Sequence, residues 1–179
     1  MQRWMMTLLL TLSVSLATGH AANAQERGRT GLTMGYPASV GVVWQPSGVF
    51  AVRPEVSFST TSTDSASLGP RGTTSVGVGL SGLFYVAKWE SLSTYVSPRF
   101  VYNRLSSGQS PLATNINSYA LIGSFGTQYA LNRRFGVFGE VGVGYGHEQV
   151  ETSSSASFNS TTKSNSWSTR TGIGVMLYF

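Results

Sequence analysis

Few residues in this chain of 179 have the types and spacing to do chemistry. His147 stands beside Glu148, and serine is abundant, so a Ser-His-Glu hydrolase acting on lipid is one arrangement the composition permits. No serine lies in a local signature that would pair it with His147, and a lone histidine near a strand end is ordinarily a surface residue. Gly77-Val-Gly79-Leu-Ser-Gly82 fits G-x-G-x-x-G. Phosphate binding needs those glycines at a strand-to-helix turn, whereas here they sit within an alternating segment and read as close packing. The sequence has no P-loop, no H-E-x-x-H and no cysteine. Catalysis, a metal and a cofactor are therefore not expected. The remaining set is charged: Arg53, Glu55, Arg99, Glu140 and Arg170.

What these five share is their place in period-two patterns, the signature of strands. Between Ala51 and Ser59, Val52, Pro54, Val56 and Phe58 fall on one face, with Arg53 and Glu55 on the other. In Ser75–Ala87 the apolar face is Val76, Val78, Leu80, Phe84 and Val86; in Thr94–Tyr102 it is Val96, Pro98, Phe100 and Tyr102, opposite Arg99. Tyr119–Leu131, Phe135–His147 (Glu140 on the polar face) and Trp167–Phe179 (Arg170 on the polar face) repeat the pattern. Two weaker segments, around Leu32–Tyr36 and Val40–Trp44, bring the expected strands to eight. The apolar faces carry no charge, and the opposite faces are rich in Gly and Ser.

Composition agrees with two enclosed faces. Charged residues make up 11% of the chain, against about 25% in an average globular domain. Mean hydropathy is only +0.02, too high for a disordered chain and too low for a bundle of membrane helices. The one long apolar run, Trp4–Ala17, follows Arg3 and leads to Ala22-Asn23-Ala24, the pattern of a secretory signal cleaved after Ala24. Residues 1–24 are thus expected to be a signal peptide and 25–179 the folded domain. No basic stripe interleaved with aromatics suggests nucleic acid.

The connections alternate in length. Short links lie near Pro46–Gly48, Lys88–Ser91 and Asn132–Arg134; long, polar ones lie near Thr60–Thr74, Leu105–Asn117 and Val150–Ser166, and are expected to be mobile loops. The link at Pro37 is short although it falls on the long-loop side. Short turns at one end, loops at the other and strands of about ten residues predict an all-β fold, an eight-stranded antiparallel up-and-down transmembrane β-barrel. Aromatic residues cluster accordingly: Trp44, Phe50, Trp89, Tyr129, Phe135 and Phe179 at the short-turn end, and Tyr36, Phe58, Tyr102, Tyr119, Tyr145 and Trp167 at the other. Two such belts mark membrane interfaces. The rival fold is a secreted lipocalin-like barrel, which would put its apolar residues inside.

The terminal segment Thr171-Gly-Ile-Gly-Val-Met-Leu-Tyr-Phe179 alternates apolar residues and ends in Phe, and resembles the C-terminal targeting signal of bacterial outer-membrane proteins. With its leader and eight strands, the whole chain from residue 25 resembles the small, opacity-protein-like outer-membrane barrels. The resemblance implies assembly by the outer-membrane insertion machinery, short turns in the periplasm and long loops outside the cell, where an extracellular ligand could be met. It carries no activity with it.

In a barrel of eight strands the interior is just filled by side chains. Arg53, Glu55, Arg99, Glu140 and Arg170 would then form a lumen ion-pair network, because an unpaired buried charge costs several kcal/mol. A plugged barrel with a structural or surface-interaction role is the expected function; a small-solute channel and a lipid-modifying hydrolase are the alternatives.

Overall fold

The computed structural model describes residues 29–37, 39–65, 69–109, 112–154 and 158–179; the leader and its Ala24 cleavage site lie outside them. Eight strands follow in order: β1 (Arg29–Tyr36), β2 (Ser39–Ser47), β3 (Phe50–Ser65), β4 (Gly69–Lys88), β5 (Leu92–Gln109), β6 (Leu112–Ala130), β7 (Phe135–Ser154) and β8 (Phe158–Tyr178). Each pairs antiparallel with the next, and β8 returns to β1, so the sheet closes. Among the described residues no helix is long and apolar enough to cross a membrane. Closure removes the sheet edges that hydrocarbon would leave without hydrogen-bond partners.

Register fixes the shape. A row leaving Met34 passes through Val40, Val56, Val78, Tyr102, Tyr119 and His147 to Asn165 on β8. Met34 itself faces Val175, so the row returns ten residues out of step. A stagger of this size tilts the strands by roughly 40° to the barrel axis and leaves a narrow interior. The turns at one end are tight: Ser47 faces Phe50, Trp89 N–H donates to Leu92 O at 2.7 Å, and Asn132 Oδ1 accepts from the N–H groups of Arg134 and Phe135, both at 2.8 Å. An Asn side chain that stands in for a backbone acceptor is a common way to close such a turn.

The alternation assigns the faces as the pattern predicts. Thirty-two large apolar side chains are exposed among the described residues, including Leu121 at 64% and Val143 at 58%, whereas nine hydrophobic residues are buried. That is the inverse of a water-soluble barrel, so the lipocalin-like alternative fails. The fold is that of a transmembrane β-barrel.

The expected mobile loops are a correction. Strand pairing runs on from Val56↔Val78 to Ser65↔Gly69, from Tyr102↔Tyr119 to Gln109↔Leu112 and from His147↔Asn165 to Ser154↔Phe158. The neighbouring pairs β4–β5 and β6–β7 continue with them, as far as Gly72↔Gly108 and Leu112↔Ser154. Above the barrel, β3 to β8 therefore form one six-stranded wall. Low hydrophobicity suggested disorder, but Thr suits a pleated strand, and a register already set in the barrel only has to be extended.

Candidate functional site

The lumen is built from the small-residue faces. Its lower half holds an apolar cluster that alternation alone did not reveal: Val43, Ala51, Leu83, Tyr95, Phe138, Met176 and Tyr178, all 8% exposed or less. Phe138 lies across the barrel from Arg53, whose guanidinium carbon is 4.9 Å from the ring centroid. Beneath, Gln128 joins Tyr85 and Tyr178: the Tyr85 hydroxyl donates to Gln128 Oε1 at 3.2 Å, and Gln128 Nε2 donates to the Tyr178 hydroxyl at 3.1 Å. Two cations close this end, Lys88 over Tyr85 and Arg29 over Tyr178, each 4.5 Å from the ring centroid. A small cavity of about 50 Å³ lies among them. Sequence reading missed this layer; the available signal was that Tyr85, Gln128 and Tyr178 occupy small-face positions.

Above the apolar cluster, four of the five expected charges meet. Arg53 Nη2 donates to Glu140 Oε1 at 2.6 Å. Arg53 Nε is 3.4 Å from Glu55 Oε1, and Glu55 Oε2 is 2.8 Å from Arg99 Nη2. β3 and β7 stand opposite each other in a ring of eight, so the Arg53–Glu140 contact crosses the full lumen. Arg53 is completely buried, and Glu55 is 6% exposed. Ser81 separates the two arginines on the sheet, since it pairs with Arg53 on one side and with Arg99 on the other. Ser81 Oγ, Ser97 Oγ, Thr33 Oγ1 and Arg53 Nη1 are buried and have no hydrogen-bond partner among the described residues. Such groups are costly in a dry interior.

Arg170 departs from the expected network. It sits on the lumen face of β8, paired in register with Gly142, but makes no ion pair among the described residues. Its strand position places it above Glu140, which faces Gly172. Arg170 therefore stands outside the four-residue ion-paired cluster.

His147 faces outward. Its Nδ1 is 2.6 Å from Asn165 Oδ1, and its ring lies 5.1 Å from that of Tyr119. Glu148 alternates to the other face, between Ser118 and Ser164. Among the described residues, no carboxylate is brought to the imidazole. The interfacial aromatics are exposed at both ends: Trp44, Trp89, Tyr129 and Phe179 near the turns, and Trp167, 77% exposed, with its ring 5.3 Å from that of Tyr145 near the wall. Tyr36, expected in the upper belt, lies below it, because the short β1 ends opposite Ile173, six residues from Trp167.

A closed eight-stranded barrel with an apolar outer belt and a charge-paired lumen belongs, by fold, with the small outer-membrane β-barrels. Among solved structures, a major outer membrane protein from Thermus thermophilus is similar over 86% of this chain and 100% of its own, with a TM-score of 0.56 at 16% identity. CarO from Acinetobacter baumannii covers 88% of this chain and 100% of its own, with a TM-score of 0.48 at 15% identity. No protein-family model matches the sequence, and no curated protein sequence does. The likeness is one of fold.

Proposed function

We propose that this chain is a bacterial outer-membrane barrel of the opacity-protein-like kind, a closed wall that is not an enzyme and that presents a rigid β-surface outside the cell. The observation that carries this reading is the Arg53–Glu140 pair, which spans the lumen at 2.6 Å with Arg53 completely buried. The apolar cluster beneath the pair supports the same reading, because its side chains are buried. The apolar belt, bounded by aromatics, supports residence in a bilayer, and the alternating segment 171–179 supports delivery by the insertion machinery. Of the outer-membrane lipid, that machinery and an extracellular ligand as partners, the ligand would be met by the six-stranded wall.

The unpartnered Ser81, Ser97, Thr33 and Arg53 atoms favour one alternative, a small-solute channel. They offer hydrogen bonds beside the plug, which a polar solute would use if Arg53 and Glu140 separated. Planar-bilayer recording of the purified protein decides between the two. Silence from the wild type, with openings only in Glu140→Ala, is the expected result; steady wild-type openings would establish the channel.

A further inference from the structure

The turn end of the lumen gathers positive charge around one cavity. The space of about 50 Å³ described above is lined by Arg29, Lys88 and Arg133, with Glu90 the one carboxylate among its lining residues. Each cation comes from a different segment: Arg29 from the start of β1, Lys88 from the end of β4 and Arg133 from the turn between β6 and β7. Lys88 makes no ion pair among the described residues, and its ammonium lies 4.5 Å from the Tyr85 ring centroid. Arg29 stacks on Tyr178 and donates from Nη2 to Arg133 O, which ties β1 to that turn across β8. A cation–π contact offsets only part of the desolvation and mutual repulsion of like charges held at one end of a narrow tube. The position invites an anion.

Neutral groups and small residues complete the site. Gln45 faces Arg29 in register, is 9% exposed and lines the cavity, yet its side-chain amide makes no hydrogen bond among the described residues. On the β6–β7 side the cavity wall is Ala130 paired with Gly136, so no bulky side chain fills the space. Glu90, Asn132 and Arg133 are exposed at the rim, which leaves the cavity open to solutes from the turn side. About 50 Å³ holds roughly four waters, or one oxyanion the size of phosphate. A planar carboxylate presents two oxygens to a single fork. Two guanidinium groups, an ammonium and an amide arriving from separate segments suit a tetrahedral anion, whose oxygens point several ways.

We propose that the turn end of this barrel is a binding site for a phosphate group. Lys88 and Arg29 neutralise the group, the Gln45 amide donates to one of its oxygens, and Arg133 meets it from the rim. Glu90 opposes it and holds the affinity down. The phosphate comes either free in solution or as the head group of a phospholipid whose chains stay outside the wall, and the chemistry recognised is the same. This goes beyond the closed-wall reading and does not depend on it, because the site lies on the turn side of the Arg53–Glu140 pair whether or not the lumen conducts.

The test uses the full barrel in a nonionic, phosphate-free detergent, titrated with inorganic phosphate and read by phosphorus NMR line width. Saturable binding is expected, competed away by sulfate but not by acetate at equal ionic strength; absence of saturation, or equal competition by acetate, overturns the proposal. Lys88→Gln weakens binding roughly tenfold, the scale of one charge-assisted hydrogen bond, and Glu90→Gln strengthens it. Ala130→Leu, which narrows the cavity without changing charge, abolishes binding; undiminished binding in that variant overturns the assignment to the cavity. Arg134→Gln removes an exposed cation of the same turn that does not line the cavity, and leaves binding unchanged. A loss there equal to that in Lys88→Gln would mean diffuse attraction to a basic end and overturns the site. Dihexanoyl phosphatidylglycerol is then compared with glycerophosphoglycerol, the same phosphodiester without chains. Tighter binding of the lipid, lost in Lys88→Gln, assigns the phosphate to a head group; binding that ignores the chains, or is confined to inorganic phosphate, assigns it to a soluble ion. Heat-modifiable gel mobility confirms that each variant is folded. Steady wild-type openings together with saturable phosphate binding would retire the closed wall and keep this site, so the two can fail separately.

Discussion

Tyr95 on β5 donates its hydroxyl proton to Glu140 Oε1 on β7 at 2.8 Å, across a strand to which neither belongs. The strand between them is β6, and the residue that faces both in register is Gly126. A Cβ there would lie 2.5 Å from the Tyr95 ring carbons. The same Glu140 oxygen accepts from Arg53, so one glycine lets an aromatic ring lie flat enough to complete a contact that closes the lumen.

Gly126→Ala should therefore act on the plug through Tyr95. The ring has to leave its place, and with it goes a hydrogen bond to a buried carboxylate. Overpacking of this kind costs about 1–3 kcal/mol. Urea unfolding of the reconstituted barrel is expected to show a lower midpoint for Gly126→Ala. Tyr95→Phe, which removes only the hydroxyl, should destabilise the barrel by about 1.5–3 kcal/mol, the range for a hydrogen bond to a charged group.

Removing Glu140 tests the ion pair itself. Glu140→Ala leaves Arg53 buried beside Phe138 with its nearest remaining carboxylate at 3.4 Å, in poor hydrogen-bonding geometry. Breaking one side of a buried pair typically costs about 3–5 kcal/mol. The expected outcome is a marked loss of heat and urea resistance in Glu140→Ala. Combining Arg53→Met with Glu140→Leu should recover most of it, since the penalty lies in the orphaned charge more than in the lost attraction. A double variant no more stable than the single one would show that the pair specifies the packing of the cluster around it.

Much of this arrangement was legible from the chain. Period two identified all eight strands and put Arg53, Glu55, Arg99 and Glu140 on one enclosed face, because charge is excluded from the lipid side and each of these strands states its own facing. Arg170 obeys the same rule, yet stands apart. A face tells which way a side chain points, but its height follows from the ten-residue stagger, which only pairing between distant strands reveals. The apolar lower lumen escaped for a related reason: Leu83, Phe138 and Met176 sit among glycines in sequence and meet only when the ring closes. The outer segments were misjudged because composition suggests solubility, whereas Thr and Ser extend a strand readily once its register is anchored.

The lipid-facing assignment predicts a depth dependence along β6. Phe125 and Asn117 both point outward, Phe125 midway between the belt residues Tyr119 and Tyr129 and Asn117 above Tyr119. Phe125→Arg should destabilise the barrel by about 2–4 kcal/mol, and Asn117→Arg by about 0–1 kcal/mol, the difference between mid-bilayer and interface. Urea titration in vesicles reads both. Equal costs would mean that the belt does not sit in hydrocarbon where the aromatics place it.

The upper wall gives the last prediction. In β7 and β8 the pairs Val150↔Thr162, Glu151↔Thr161 and Thr152↔Ser160 lie well above the lumen cluster. Their side chains touch neither Arg53 nor Glu140, and no buried residue of the core belongs to them. Deleting residues 150–162 and joining Gln149 to Lys163 by a tight turn should leave the barrel folded, because those two residues already face each other. Its urea midpoint should move far less than that of Glu140→Ala. What it should lose is recognition at the outer surface, measured by binding of antibodies raised against the intact protein to whole cells. If the deletion instead prevents closure of the ring, the extended β7–β8 pairing contributes to assembly as well as to surface recognition.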